Sequence, residues 1–252
     1  MKILICGKGG SGKSTISALL ARELAKKGNK ILVIDTDESN FGLHLQLGMV
    51  KPEDFMNYFG GKKVLLEKTK SLRKKWKIDD LPQKYISEKE NIKLMAIGKI
   101  YNFGEGCACP INALASKFLE VLELRKNEFL IADTDAGVEH FGRGVEKGCD
   151  LILAVIDPTR ESILLAEKIS KLGNQVGKPV HFVLNKINKE IETEIVESID
   201  KNKIAAIIPN NKRIFRYGLK GDELDLSLGD ITALSDLIIS NFSKQRLLEN
   251  EQ

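Results

Sequence analysis

The chain has 252 residues, 42% of them hydrophobic and 29% charged, with a net charge of +4. That is the composition of a water-soluble globule, long enough for one large α/β domain and too short for two of full size. The mild, interspersed charge does not mark a nucleic-acid binder, and no apolar run approaches the roughly 20 residues a membrane span needs, so neither nucleic acid nor membrane is an expected partner.

Met1-Lys2 runs straight into an apolar stretch with no leader, and a cytoplasmic location is expected. The run Ile3 to Cys6 predicts a strand. Behind it stands Gly7-Lys8-Gly9-Gly10-Ser11-Gly12-Lys13-Ser14-Thr15, a phosphate-binding loop in the strand-to-helix setting the motif requires. Glycines let successive backbone amides converge on one anion, and the helix opening near Lys13 adds the positive end of its dipole. Lys13 is expected to reach the β- and γ-phosphates and Ser14 to offer its hydroxyl to Mg²⁺, with Gly9, Gly10, Ser11, Gly12 and Thr15 completing the cradle.

Ile16, Leu19, Leu20 and Leu24 recur at helical spacing, and Gly28-Asn29 ends that helix. Lys30 to Ile34 predicts a strand with Asp35-Thr36-Asp37-Glu38-Ser39-Asn40 at its carboxyl end, where open α/β sheets bind ligands. Asp37 is a candidate to orient the attacking water and Asp35 to support Mg²⁺ or that water; the competing reading is a pair of turn or helix-capping aspartates. From Lys51 to Glu90 the pattern loosens. Lys62, Lys63, Lys68, Lys70, Arg73, Lys74, Lys75 and Lys77 crowd around Val64, Leu65, Leu72 and Trp76, which reads as a solvated helix face or as a dock for an acidic partner.

Ile92 to Ile97 predicts a strand, and Gly104-Glu105-Gly106-Cys107-Ala108-Cys109-Pro110 a turn before a helix over Asn112 to Leu124. Phe129 to Ala132 is a buried strand ending in Asp133, a candidate to hold Mg²⁺ through water. Further strands are expected at 151–156, 180–184 and 204–208. Helices are expected at 161–172 and 189–200, with a C-terminal helix running through about Leu248. Alternation of this kind implies an α/β fold with a mostly parallel sheet covered by helices on both faces, here one domain over 1–252.

Cys107 and Cys109 stand one residue apart, a spacing that strains a disulfide. Two thiolates make half of a tetrahedral soft-metal site. Cys6 and Cys149 read as small core residues, and His140 and His181 as structural, so no third or fourth donor is obvious. Two copies of the chain face to face would supply four sulfurs and link closure to metal affinity.

Lys8 in the loop resembles the signature lysine of the deviant Walker A ATPases, such as cell-division and plasmid-partition ATPases and the nitrogenase iron protein. The resemblance implies that Lys8 reaches a partner subunit's nucleotide. Asp133-Thr134-Asp135-Ala136-Gly137-Val138-Glu139-His140 resembles a Walker B and second switch, with the Gly137 amide near the γ-phosphate. Taken with the Asp-Xaa-Asp at 35–37 and the Cys-Xaa-Cys, the chain looks like the CooC-type nickel-insertion ATPases that mature carbon monoxide dehydrogenase. That family implies ATP or ADP with Mg²⁺, adenine held by Asn185, Lys186 and Pro209, a nucleotide-bound homodimer, Ni²⁺ or Zn²⁺ on Cys107 and Cys109, and a carbon monoxide dehydrogenase client. Two other classes remain open: an iron–sulfur electron-transfer ATPase, and a MinD- or ParA-like positioning protein, for which Leu234, Leu237, Ile238 and Phe242 instead have core-packing spacing.

Overall fold

The structure, a computed structural model, describes residues 1–70, 72–138, 141 and 144–250, with the backbone alone for 242–250. Its strands are β1 (Lys2–Gly7), β2 (Lys30–Asp35), β3 (Ser87–Lys89), β4 (Ile92–Ala96), β5 (Glu128–Asp133), β6 (Leu151–Ile156), β7 (Val180–Ile187) and β8 (Ile204–Pro209). The described helices are α1 (Lys13–Lys26), α2 (Leu43–Gln46), α3 (Lys62–Lys70), α4 (Cys109–Val121), α5 (Arg160–Gln175), α6 (Glu192–Glu197), α7 (Lys212–Lys220) and α8 (Gly229–Asn250).

The strands form one eight-stranded sheet in the order β3-β4-β2-β5-β1-β6-β7-β8. Every neighbouring pair is parallel except β3 with β4. Period-two alternation distributes each central strand between two cores. Ile3 and Ile5 of β1, with Ile31, Val33, Phe129 and Ile131, face α1 and α8. Leu4 and Cys6, with Leu32, Ile34, Leu130 and Ala132, face α4 and α5. Both faces are covered, as a parallel sheet requires. The order places β1 centrally between β5 and β6, so the phosphate-binding loop leaves the middle of the sheet beside the carboxyl ends of β2 and β5.

Several expectations need correcting. The helix expected over 112–124 spans Cys109–Val121, with Pro110 in its first turn, a position where proline's missing N–H costs nothing. Cys109 therefore opens a helix instead of sitting in a free turn. The helix expected over 189–200 shrinks to Glu192–Glu197, followed by a 3₁₀ turn at Lys201–Lys203. Helix α7 was not anticipated. The lysine-rich segment is not only a solvated face: Trp76 is buried, and its ring lies edge-on to Phe55 at 5.9 Å, with Phe59, Tyr85 and Phe118 also around Phe55. Lysines there ride on the outside, Lys74 Nζ lying 4.4 Å from the Trp76 ring centroid. Cys6 and Cys149 are fully buried, and burial pushes both thiols up to about 12. Leu234 and Ile238 are core residues while Leu237 is exposed, and the Phe242 side chain lies outside the described residues.

Candidate nucleotide site

A cleft of about 560 Å³ opens over the carboxyl ends of the central strands, with Gly9, Gly10, Gly12, Lys13, Ser14 and Thr15 forming one wall. The loop's shape depends on glycine where the backbone turns left-handed. At Gly12, φ is +102° and an added Cβ would lie 2.3 Å from Asn185 Nδ2. Gly12 is also the N-cap of α1 and has no side chain to bond the first-turn amides, so those donors are left for an anion. Lys13 is buried beneath the loop, its Nζ donating to the Lys8 carbonyl at 3.3 Å.

The opposite wall comes from β7, β8 and α7. Asn185 Nδ2 donates to the Ser11 carbonyl at 2.8 Å, and Lys186, at φ +63°, donates from Nζ to the Gly10 carbonyl at 2.7 Å. Both residues thus brace the phosphate loop from the end of β7. Pro209, Ile214 and Phe215 line the same side, with Phe215 exposed. They offer a flat apolar surface of the kind a base requires.

Asp133, fully buried at the end of β5, has its carboxyl pushed up to about 6 by burial, against opposing help from Ser14, Lys13 and Ser17. Ser17 Oγ donates to its Oδ1 at 3.0 Å. Asn40 Nδ2 stands between Ser14 Oγ at 2.7 Å and Asp133 Oδ2 at 3.5 Å. A side-chain amide donor bridging a hydroxyl and a buried carboxylate marks an oxygen-lined position suited to a hard divalent cation, so the residues present fit Mg²⁺. Asn40 carries this geometry and was not singled out in the sequence; its signal was its place in the polar run after β2.

The two first-switch aspartates part company. Asp37 lines the cleft, its Oδ1 accepting from Ser39 N at 2.9 Å and Ser39 Oγ at 2.6 Å. Asp35 turns away from the cleft into a buried pair with Lys99, Oδ2 to Nζ at 2.7 Å. Burial pushes the Asp35 carboxyl up to about 7, with Lys99 opposing. Lys99 also escaped the sequence reading, although a lone lysine beside the apolar run ending at Ile97 is the pattern of a paired, buried cation.

Gly137 has φ +90° and donates its amide to the Gly7 carbonyl at 3.1 Å, so Ala136 takes its place in the cleft wall. The Glu139-His140 end of the second switch lies outside the described residues. Lys8 points away from the cleft, with Nζ 3.4 Å from Glu161 on the exposed start of α5.

Cys107 and Cys109 are both exposed. Hydrogen bonds from the Cys109 side chain and backbone hold the Cys107 thiol below its ordinary range, helped by the Lys62 charge. Lys62 Nζ also donates to the Gly106 carbonyl at 3.1 Å. Among the described residues, no group of three or more His, Cys, Asp or Glu side chains that could hold a metal forms. His181 is half-buried and its ring is held below the usual imidazole range by burial.

The sequence profile of the CobQ/CobB/MinD/ParA nucleotide-binding domain matches residues 2–224. The chain belongs to this family. An uncharacterized ATP-binding protein of Methanocaldococcus jannaschii is 52% identical over 250 residues, covering 94% of this chain and 99% of that protein. The carbon monoxide dehydrogenase accessory protein CooC of Rhodospirillum rubrum is 30% identical over 242 residues, covering 92% and 90%. Among solved structures, the septum site-determining protein MinD of Pyrococcus horikoshii, complexed with Mg-ADP, superposes with a TM-score of 0.68 at 19% identity, covering 94% and 95%. The eight-stranded, mostly parallel sheet is thus the MinD/ParA-like P-loop fold, and no described helix of this family member is long and apolar enough to cross a membrane.

Proposed function

We propose that this chain is a single-domain ATPase that closes as a homodimer around nucleotide. In that form it carries a soft metal ion, Ni²⁺ first and Zn²⁺ second, on the paired Cys107 and Cys109 of two copies. The client would be a metalloenzyme of the carbon monoxide dehydrogenase class, in keeping with the name of the Rhodospirillum relative. The observation that carries the reading is the pair of exposed cysteines one residue apart; the hydrogen bonds from Cys109 and the Lys62 charge hold the Cys107 thiol below its ordinary range and so favour the thiolate that a metal binds.

Four sulfurs satisfy a tetrahedral ion where two do not. Lys13 and the uncapped first-turn amides of α1 would neutralise the β- and γ-phosphates. Ser14 and Asp133 would hold Mg²⁺, which supplies charge neutralisation at the phosphates when bound. Asp37, free to line the cleft, would orient water for attack on the γ-phosphorus as the bond to the ADP oxygen breaks. Lys8, on the open side of the loop, would meet the second copy's nucleotide. Asn185, Lys186 and Pro209 would flank adenine.

Driving closure from 1:99 to 99:1 takes about 5.5 kcal/mol of differential affinity, within what added metal–thiolate bonds supply in structural sites, on the order of 10 kcal/mol. Cys107→Ser and Cys109→Ser should each abolish stoichiometric nickel binding in equilibrium dialysis while nucleotide affinity stays within about threefold. Nickel binding equal to the parent in both variants would refute the assignment.

A further inference from the structure

We propose that Lys99 is a positioning residue that couples the nucleotide cleft to the Cys107-Ala108-Cys109 turn. The inference deepens the proposed function and rests on its reading of the cleft as the nucleotide site. It assigns how one site senses the other.

Lys99 is buried, with 1% of its side chain exposed, and its ammonium has two oxygen partners: Asp35 Oδ2 at 2.7 Å and the carbonyl of Asp37. Both belong to the segment that leads from β2 into the cleft. The backbone repeats the connection, because Ile97 N donates to the Asp35 carbonyl at 3.0 Å and Ile100 N to the Glu38 carbonyl at 3.2 Å. Residues 35–38 and 97–100 are therefore laced together on both sides of a buried charge. If Asp37 shifts to engage water or phosphate, the ammonium either follows its carbonyl or loses one of two partners where water cannot replace it, which is costly. The 97–100 segment after β4 moves with the switch.

Beyond Lys99 the chain is braced as far as Glu105, two residues before the first cysteine. Tyr101 packs against Phe41 of the switch, ring centroids 5.8 Å apart, with Lys51 Nζ 4.5 Å from the Tyr101 centroid. Lys51 is anchored in turn by Asp54 at 3.5 Å, and Asp54 Oδ2 accepts the Lys99 backbone amide at 3.2 Å. Glu105 then clamps the next turn, accepting from Tyr101 N at 3.2 Å and from Asn102 N and Nδ2 at 2.9 and 2.7 Å. Cys107 follows two residues later. A displacement at Asp37 thus reaches Glu105 through hydrogen bonds and ring contacts, and the thiols from there through the short chain at Gly106, whose carbonyl accepts from Lys62 Nζ at 3.1 Å.

The test reads the exposed thiols directly, so it does not need the metal. Wild-type protein, Lys99→Met, Lys99→Met with Asp35→Asn, and Lys99→Arg are reacted with an aromatic disulfide reagent, without nucleotide and at saturating Mg-ADP or a non-hydrolysable ATP analogue. In the wild type, nucleotide is expected to change the rate of the two fast thiols by threefold or more. In Lys99→Met and in the doubly substituted protein the change should fall below about 1.3-fold at full nucleotide occupancy, and Lys99→Arg should restore at least half of it. The double substitution strands no charge, so it decides the question if Lys99→Met alone does not fold. A nucleotide response unchanged in that variant, or absent from the wild type, overturns the proposal. Thiols that respond through Lys99 in a protein that binds no nickel would instead remove the metallochaperone reading and leave the coupling standing.

Discussion

Replacing Lys99 by Met should destabilise the protein far more than a surface substitution does. Methionine keeps most of the aliphatic stem, so the packing lost is small; the cost lies in Asp35, 8% exposed, left without its partner at 2.7 Å. Breaking one side of such a buried pair costs about 3–5 kcal/mol, whereas removing both charges is often neutral. Lys99→Met with Asp35→Asn should therefore recover to within about 1 kcal/mol of wild type, giving a coupling energy of about 2–4 kcal/mol in the double-mutant cycle. The pH dependence fixes the sign. Burial raises the Asp35 carboxyl from 3.8 to about 7, so the fold prefers the protonated acid relative to the unfolded chain. That preference is fully present below the ordinary carboxylate value and is lost as pH rises through about 7. Lys99 opposes that rise, so its removal pushes the carboxyl still higher. The Lys99→Met deficit should accordingly be larger at pH 8, where wild-type Asp35 ionises beside Lys99 and the variant must hold a proton or bury an unpaired charge, than at pH 6, where the acid is protonated in both. Urea denaturation of the four cycle members at both pH values measures this. A single-variant deficit below 1 kcal/mol, or one that grows as pH falls, would refute the reasoning.

Lys13→Ala should weaken ADP binding on the order of 100-fold, about 2.7 kcal/mol, with an unchanged circular dichroism spectrum; fluorescent-nucleotide titration checks it. Gly12→Ala should cost about 2–3 kcal/mol in urea denaturation, from left-handed strain and loss of the bond between Asn185 and Ser11, and should also lower nucleotide affinity. In native protein two thiols, Cys107 and Cys109, should react quickly and Cys6 and Cys149 only after unfolding. The Cys107 rate should persist to lower pH than that of an ordinary thiol, because its thiolate forms earlier; mass spectrometry of the labelled peptides over a pH series reads both.

The parts of the fold that follow from strong local pattern were legible. Apolar runs such as Ile3 to Cys6 and Leu151 to Ile156 are buried on both faces, so they read as strands without knowledge of their neighbours. The glycine loop is legible because phosphate chemistry fixes its spacing. What escaped was set by tertiary context. Helix α7, Lys-Arg-Ile-Phe-Arg-Tyr-Gly-Leu-Lys, has no fully buried residue and so left little core signal, although Asn211 caps its start and Gly221 turns left-handed at its end. Helix α4 begins at Cys109 because Pro110 is accommodated in a first turn, whereas from sequence alone the same proline reads as part of a turn before the helix.

The site shows the same division. Lys13, Ser14, Asp37, Asn185 and Pro209 line the cleft and Asp133 lies behind Ser14 and Asn40, whereas Asp35 turns to Lys99, which stands 64 residues away in sequence. No periodicity reports a pairing that distant. Lys8 beside Glu161, and two thiols without further donors among the described residues, are both surfaces of a single chain, and their expected roles require a second one.

The central claim is that each chain holds half of a sulfur cage and that nucleotide brings the halves together. Native mass spectrometry without nucleotide, with Mg-ADP and with a non-hydrolysable ATP analogue, scored for bound nickel, tests it directly. The account predicts one metal per nucleotide-loaded dimer and none on Cys107→Ser dimers. Metal bound one per monomer in every nucleotide state, or dimers that close without changing nickel affinity, would contradict it.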